Sequence, residues 1–299
     1  MWQELLKQVQ QGEVKALART ISFIENEQEG YELLMQSLPA TTKTKIIGFT
    51  GPPGAGKSTL VDALIGCMTE AKKTVAVLCV DPSSPFNMGA VLGDRIRMSE
   101  WYTHPDVFIR SLATRGSMGG LHPKIIEITD LLKAFQFDYI IIETVGVGQS
   151  EVEIAGLADL TVVVLVPEAG DEVQTMKAGL MEIAGMFVIN KSDRPGADEL
   201  EKNLRMMLAP VFRHQYNEVP VLKTIAMQKE GIKEMHKTIL HALQKAHEAD
   251  KKFWLLAEKA FYLISKKRMQ GIDKSKLKKE IEELYTRENF NLYKFVAAK

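Results

Sequence analysis

Gly51-Pro-Pro-Gly-Ala-Gly-Lys-Ser58 stands between the apolar run Lys45-Ile-Ile-Gly-Phe-Thr50 and the helical stretch Ser58-Thr-Leu-Val-Asp-Ala-Leu-Ile65. A buried strand, a loop of the pattern GxxxxGK[ST] and a helix, in that order, make a phosphate cradle. The glycines let backbone N–H groups converge without a Cβ in the way, and the helix N-terminus adds partial positive charge. In this reading Gly51, Pro52, Pro53, Gly54, Ala55, Gly56, Lys57, Ser58 and Thr59 line a nucleoside triphosphate. Lys57 neutralises β- and γ-phosphate oxygens, and Ser58 offers its hydroxyl to Mg²⁺.

A second stretch reads the base. Met186-Phe-Val-Ile189 is a short apolar run of the central parallel-strand type, and Asn190-Lys-Ser-Asp193 follows its carboxyl end, where open α/β sheets place ligands. A carboxylate only accepts, so Asp193 pairs with the N1–H and 2-amino donors that guanine carries and adenine lacks. Asn190 braces the loop and meets the base edge, and Lys191 lays its methylene stem across the purine face. Past the next expected strand, Thr224-Ile225-Ala226 is the candidate to close over the base with backbone N–H groups.

Working outward, short apolar runs alternate with helical stretches: Thr74–Val80, Val107–Ser111, Tyr139–Glu143, Leu160–Pro167, Met186–Asn190 and Val219–Lys223. Such alternation predicts an α/β fold of the P-loop NTPase kind, a doubly wound and mainly parallel sheet. Helical stripes Trp2, Leu5, Leu6, Val9 and Val14, Leu17, Ala18, Ile21 precede it, and Trp254, Ala257, Phe261, Ile264 and Leu277, Ile281, Leu284, Tyr285 follow it. The expected division is a helical segment over 1–43, the nucleotide domain over 44–248 and a helical arm over 249–299. The arm's stripes need a partner surface, and a second copy of the chain is the natural one, giving a homodimer. Residues 251–299 hold 13 Lys or Arg against 6 Asp or Glu, which reads as the solvated face of these helices or as a contact for an acidic partner or RNA.

Three acidic positions fall after strands. Asp81, in Asp81-Pro-Ser-Ser-Pro85, ends an apolar strand close to the phosphate loop and can hold a metal-bound water or a positioning network. Asp94, in Gly93-Asp-Arg-Ile-Arg97, is either a second metal-facing carboxylate or a helix N-cap. Tyr139-Ile-Ile-Ile-Glu143 ends in a carboxylate that reaches Mg²⁺ directly or through water, and the Gly146 N–H is placed for the γ-phosphate. After Gly146 come Val147 and Gly148, and the nearest glutamine is Gln149, so the water-orienting glutamine of small signalling GTPases is not where it stands there. Unaided hydrolysis should be slow. The segment Glu168-Ala-Gly-Asp-Glu-Val-Gln-Thr-Met-Lys177, with Gln174 and Lys177 at one-turn spacing, is read as the loop a partner rearranges, or as an ordinary helix start.

Composition narrows the classes further. The chain has 299 residues, 45% hydrophobic and 25% charged, with a formal net charge of zero, which argues against broad nucleic-acid binding. Cys67 and Cys79 sit in apolar surroundings and read as buried thiols rather than a disulfide framework. No signal-peptide pattern or membrane-spanning apolar run is present in the sequence, so a cytoplasmic protein without membrane or nucleic-acid partners is expected.

Taken together, Gly51-Pro-Pro-Gly-Ala-Gly-Lys-Ser, Asp81-Pro-Ser-Ser, Gly93-Asp-Arg-Ile-Arg-Met, Arg115-Gly-Ser-Met-Gly-Gly, Glu143-Thr-Val-Gly-Val-Gly-Gln-Ser-Glu and Asn190-Lys-Ser-Asp resemble the MeaB/MMAA-type GTPases, also labelled ArgK or LAO/AO transport ATPase. The resemblance covers roughly residues 45–245 strongly. It implies a GTPase that binds GTP and GDP with Mg²⁺ and chaperones an adenosylcobalamin-dependent acyl-CoA mutase, usually methylmalonyl-CoA mutase, gating cofactor loading and protecting or rescuing the enzyme. It further implies that Asp81, Asp94 and Glu143 form the acidic switch and metal set with Ser58, that Gln174 and Lys177 belong to a third switch loop responding to the mutase, and that the C-terminal helices are a dimer arm. Thr224-Ile-Ala226 departs from the Ser-Ala pair common there. Two other readings are an ArgK-type kinase or ATPase regulating amino-acid transport and a nickel-delivery GTPase of hydrogenase and urease maturation, for which the scattered His236, His241 and His247 offer no tight cluster.

Overall fold

A computed structural model describes residues 1–39, 43–81, 98–114, 121–144, 154–169, 181, 183–211, 219–245, 249–269, 271–285 and 290–298. Helices α1 (Trp2–Gln10), α2 (Val14–Glu25) and α3 (Tyr31–Gln36) lead into β1 (Lys45–Thr50), α4 (Lys57–Glu70), β2 (Val75–Asp81), β3 (Val107–Ala113), α5 (Ile125–Ala134) and β4 (Tyr139–Glu143). Then come β5 (Leu160–Leu165), β6 (Met186–Asn190), α6 (Ala197–Val211), β7 (Val221–Thr224) and α7 (Ile232–Lys245). The strands form one seven-stranded sheet in the order β3-β2-β4-β1-β5-β6-β7, with every pairing parallel.

Parallel strands covered on both faces read as continuous apolar runs, and β2 (Val-Ala-Val-Leu-Cys-Val-Asp) is buried at each position. Alternation then sorts the side chains. Ile47, Phe49, Val75, Val77, Ile141, Val162 and Val188 pack with α4 and α7 on one face. Ile46, Ala76, Leu78, Ile140 and Ile142 pack on the other with Val9, Leu17, Ile21, Ile24 and Leu34 of the N-terminal helices and with α5. At the β5–β7 end that second face is closed by Leu200, Leu204 and Leu208 of α6 over Val163, Leu165, Phe187 and Ile189.

Strand ends shift from the sequence reading for local reasons. β7 starts at Val221, because Pro220 has no N–H to give the ladder, and β5 stops at Leu165, before Pro167. β2 and β3 run on to Asp81 and Ala113, which pair with each other.

The chain divides into two compact units, Met1–His247 and Glu248–Lys299. Residues 1–39 pack within the first unit as a cover for its sheet. The second contains α8 (Ala249–Arg268), α9 (Lys274–Tyr285) and α10 (Leu292–Ala297), the last capped by Asn291 Oδ1 accepting from the N–H groups of Tyr293 and Lys294. Within this unit Phe261, Ile264, Leu284 and Tyr285 of the expected stripes are exposed. Among the described residues no helix is long and apolar enough to cross a membrane.

A polar knot holds the amino-terminal ends of β2 and β4 in register. Asp138 accepts from Lys73 Nζ at 2.9 Å, from Thr74 N–H at 3.0 Å and from Thr74 Oγ1 at 3.0 Å. Burial pushes the Asp138 carboxyl up, but these hydrogen bonds outweigh it and hold the group below its ordinary range. A carboxylate with a depressed folded pKa stabilises above its unfolded value, and that gain is lost as pH falls through the folded pKa. Asp138→Asn should therefore unfold about 1 kcal/mol more easily at pH 7. In urea melts the gap to wild type should narrow on acidification below the ordinary carboxylate range, and a gap independent of pH would contradict this account.

Candidate functional site

Strand order reverses around β1: the connection after β1 leads to β2 on one side, and β5 lies on the other. A crevice at the carboxyl ends of the strands opens at such a switch point, and the 51–58 loop leaves β1 there. Two glycines are demanded by close approach. A Cβ on Gly51 (φ +134°) would stand 2.0 Å from Val164 O, and one on Gly56 (φ +86°) would stand 2.3 Å from Asn190 Nδ2. Lys57 is buried, its Nζ donating to the carbonyls of Gly51 at 2.8 Å and Pro52 at 3.1 Å. These contacts bend the lysine back over its own loop.

Ser58, one residue into α4, donates from Oγ to Glu143 Oε1 at 2.6 Å. Glu143 pairs with Cys79 of β2 and Phe49 of β1, and Asp81 stands two residues past Cys79, so both carboxylates project from the face that α4 covers. Asp81 and Glu143 are both buried. Thr144 lies on the opposite face, its hydroxyl donating to Thr50 Oγ1 at 3.1 Å. Ser58, Asp81 and Glu143 bring only oxygen donors to this end of the loop, which suits a hard cation. Among the described residues no group of three His, Cys, Asp or Glu side chains could hold a metal by itself. Mg²⁺ ordinarily takes one or two protein oxygens and completes its shell with water and phosphate, so this set fits it.

Asn190 joins the two ends of the crevice. Its Nδ2 donates to Ala55 O in the phosphate loop at 2.9 Å, while Oδ1 accepts from Thr224 Oγ1 at 3.2 Å and from the Ala226 N–H at 3.1 Å. The Ala226 N–H, read from sequence as a donor toward the base, is thus directed at Asn190, and the Ile225 N–H donates to Glu230 O. Lys191, at φ +55°, reaches back to Gly54 O at 2.8 Å, so its stem spans the gap between the loops. Asp193 is exposed beyond it. Asp94, Gly146, Gln174 and Lys177 lie outside the described residues.

Three contacts near the crevice have no counterpart in the sequence reading. Arg194, directly after Asp193, forms an ion pair with Glu168, and its guanidinium holds that carboxyl below the usual range. Trp101 Nε1 donates to Asp62 Oδ1 at 2.8 Å, laying the indole along α4, and burial pushes the Asp62 carboxyl up. The Thr50–Thr144 hydroxyl pair is the third. Partners far apart in sequence leave no periodic signal, although the place of Thr144 just after Glu143 could have marked it.

The chain is similar to known proteins over most of its length. The family model described as methylmalonyl Co-A mutase-associated GTPase MeaB matches residues 17–274. A relative from Pyrococcus abyssi is 48% identical over 239 residues, covering 79% of this chain and 74% of its own. GTPase ArgK of Escherichia coli is 34% identical over 270 residues, covering 84% and 82%. The crystal structure of LAO/AO transport system kinase shares the fold with a TM-score of 0.67 at 24% identity, covering 99% of this chain and 95% of that one.

Replacing Asn190 with Ala would strip the bond from Ala55 O and leave the Ala226 N–H and the Thr224 hydroxyl unmet in a buried setting. The expected loss is about 2–3 kcal/mol of stability in urea denaturation. A variant as stable as wild type would show that the two loops hold their places without this bridge.

Proposed function

We propose that this chain, which belongs to the MeaB family of methylmalonyl Co-A mutase-associated GTPases, works as a GTP-dependent chaperone of an adenosylcobalamin-dependent acyl-CoA mutase. GTP hydrolysis is the activity of the family. Gating cofactor loading and protecting or reactivating the mutase is the finer reading, and the family match over most of the chain is the observation that carries it.

In this reading the crevice holds one GTP lengthwise. Lys57 serves the β- and γ-phosphate oxygens, and the N–H groups of residues 51–59 supply the remaining donors. Ser58 would offer its hydroxyl oxygen to Mg²⁺ while its own proton stays on Oγ and points to Glu143, and Asp81 would hold a metal-bound water. Bound Mg²⁺ supplies charge neutralisation across the phosphates. Lys191 flanks the purine with its stem, and Asp193 accepts from the two guanine donors. Asn190 keeps the two loops at the spacing of one nucleotide.

The partner reading extends to assembly. The exposed Phe261, Ile264, Leu284 and Tyr285 of the C-terminal unit support a homodimer through that unit, and the segment carrying Gln174 and Lys177 is proposed as the one the mutase acts on. The chain works in the compartment of its mutase, proposed to be the cytoplasm.

Full-length protein mixed with an adenosylcobalamin-dependent methylmalonyl-CoA mutase should hydrolyse GTP at least about tenfold faster than alone, and Lys57→Ala should lose turnover with its fold kept. An unchanged rate, or labelled phosphate appearing on the mutase instead of in solution, would overturn the chaperone reading. Sedimentation of the protein alone should give twice the chain mass; a monomer at micromolar concentration removes the dimer arm. For base recognition, Asp193→Asn should cut the preference for GTP over ATP by about tenfold or more. Unaltered selectivity in nucleotide titrations would take Asp193 out of the base site.

A further inference from the structure

The N-terminal helices meet the sheet through charge as well as apolar packing. Glu25, the last residue of α2, accepts from Nη2 of Arg110 on β3 at 2.5 Å and faces Nε2 of His122 at 3.7 Å. Arg110 also donates to Ser22 Oγ at 3.1 Å. Just beyond, Glu27 lies 2.7 Å from Lys124 Nζ, the same ammonium sits 4.2 Å from the ring centre of Tyr31, and Glu127 approaches it at 3.4 Å. The side chains of His122 and Lys124 are 1% and 3% exposed. His122 Nδ1 accepts from the Lys124 N–H at 3.0 Å, which leaves the neutral ring's proton on Nε2, the atom that faces Glu25.

Arg110 and His122 stand on the two stems of residues 115–120, one on β3 and the other at the approach to α5. A single carboxylate from a different part of the chain addresses both. β3 continues from Arg110 to Ala113, which pairs with Asp81, and the Thr114 N–H donates to Asp81 O at 3.0 Å. A continuous path of hydrogen bonds and strand pairing therefore runs from Glu25 to the backbone of the carboxylate beside the phosphate loop.

We propose that Glu25 is a positioning residue for GTP hydrolysis, holding through Arg110 the end of β3 that pairs with Asp81 while also facing His122, so that the N-terminal helices set the geometry of the nucleotide edge. Burying this much charge is a poor way to gain stability alone, whereas fixing one arrangement among several is a use to which buried ion pairs are suited. The inference rests on the reading of Asp81 as a carboxylate that serves Mg²⁺.

The test compares Glu25→Gln, which keeps size but not charge, with Glu25→Asp, which keeps charge but is one methylene too short to address both partners. In the full-length protein each should lower kcat for GTP about tenfold and raise the Mg²⁺ concentration for half-maximal rate, with KM for GTP within about twofold because Lys57 and Asn190 are untouched. The two variants guard each other against a folding failure, checked by thermal melting. Wild-type kcat and Mg²⁺ dependence in a folded variant would overturn the proposal, as would a loss of GTP binding in proportion to turnover, the mark of a merely structural role. Asp81→Asn tells the two failures apart: if it leaves Mg²⁺ dependence unchanged, the metal role of Asp81 falls and the positioning role falls with it, whereas if it raises the Mg²⁺ requirement while a folded Glu25→Gln behaves as wild type, only the positioning role falls.

Discussion

The bridge made by Asn190 is the constraint on which the crevice depends. One carboxamide has a donor and an acceptor end, and here the donor meets the phosphate loop while the acceptor collects the loop after β7. Buried amide groups left unmatched cost free energy, so each end fixes its neighbour's position as firmly as its own. Gly56 is bound into the same arrangement, since any side chain there would collide with Asn190 Nδ2. The spacing between the loop after β1 and the loops after β6 and β7 is therefore set by protein contacts, which is what preorganisation requires.

The sheet makes that bridge achievable. β1, β5 and β6 are adjacent and parallel, so the loops leaving β1 and β6 emerge at the same edge with only β5 between them. On the far side β4 and β2 bring Glu143 and Asp81 to that edge on the α4 face. Every chemical group named here thus comes from strand ends within one rigid layer, held from behind by α4 and α7 and covered on the other face by the N-terminal helices, α5 and α6.

How much of this could be read from sequence follows from the range of each interaction. The phosphate loop is local: glycines, a lysine and a hydroxyl within eight residues, framed by a strand and a helix, declare themselves without tertiary information. The strands were legible for the same reason, since apolar runs such as Ile46–Phe49 and Ile140–Ile142 have no alternative to burial. Their ends were less so, because a terminal residue such as Asp81 joins the ladder only when its neighbour β3 is in place. The destination of the Ala226 N–H was not legible at all, since its acceptor is 36 residues away. Nor was the cluster at Glu25, whose members come from α2, β3 and the approach to α5, and each of which alone looks like a surface charge.

Glutamate at 143, one methylene longer than aspartate, acquires a physical meaning from the Ser58 contact. The extra methylene carries the carboxylate to Ser58 Oγ at 2.6 Å, so hydroxyl and carboxylate meet without an intervening water. A hydroxyl that donates its proton in one direction presents its lone pairs in others, and a carboxylate fixed by that proton cannot turn freely toward other partners. Serine is thereby oriented as an acceptor-rich oxygen, with the negative charge of Glu143 kept close by. The same coupling makes the pair a unit: moving β4 relative to α4 would change both groups at once. Thr144 follows Glu143 and is tied to Thr50 on the opposite face, so the end of β4 is held from both sides where the segment carrying Gly146 begins.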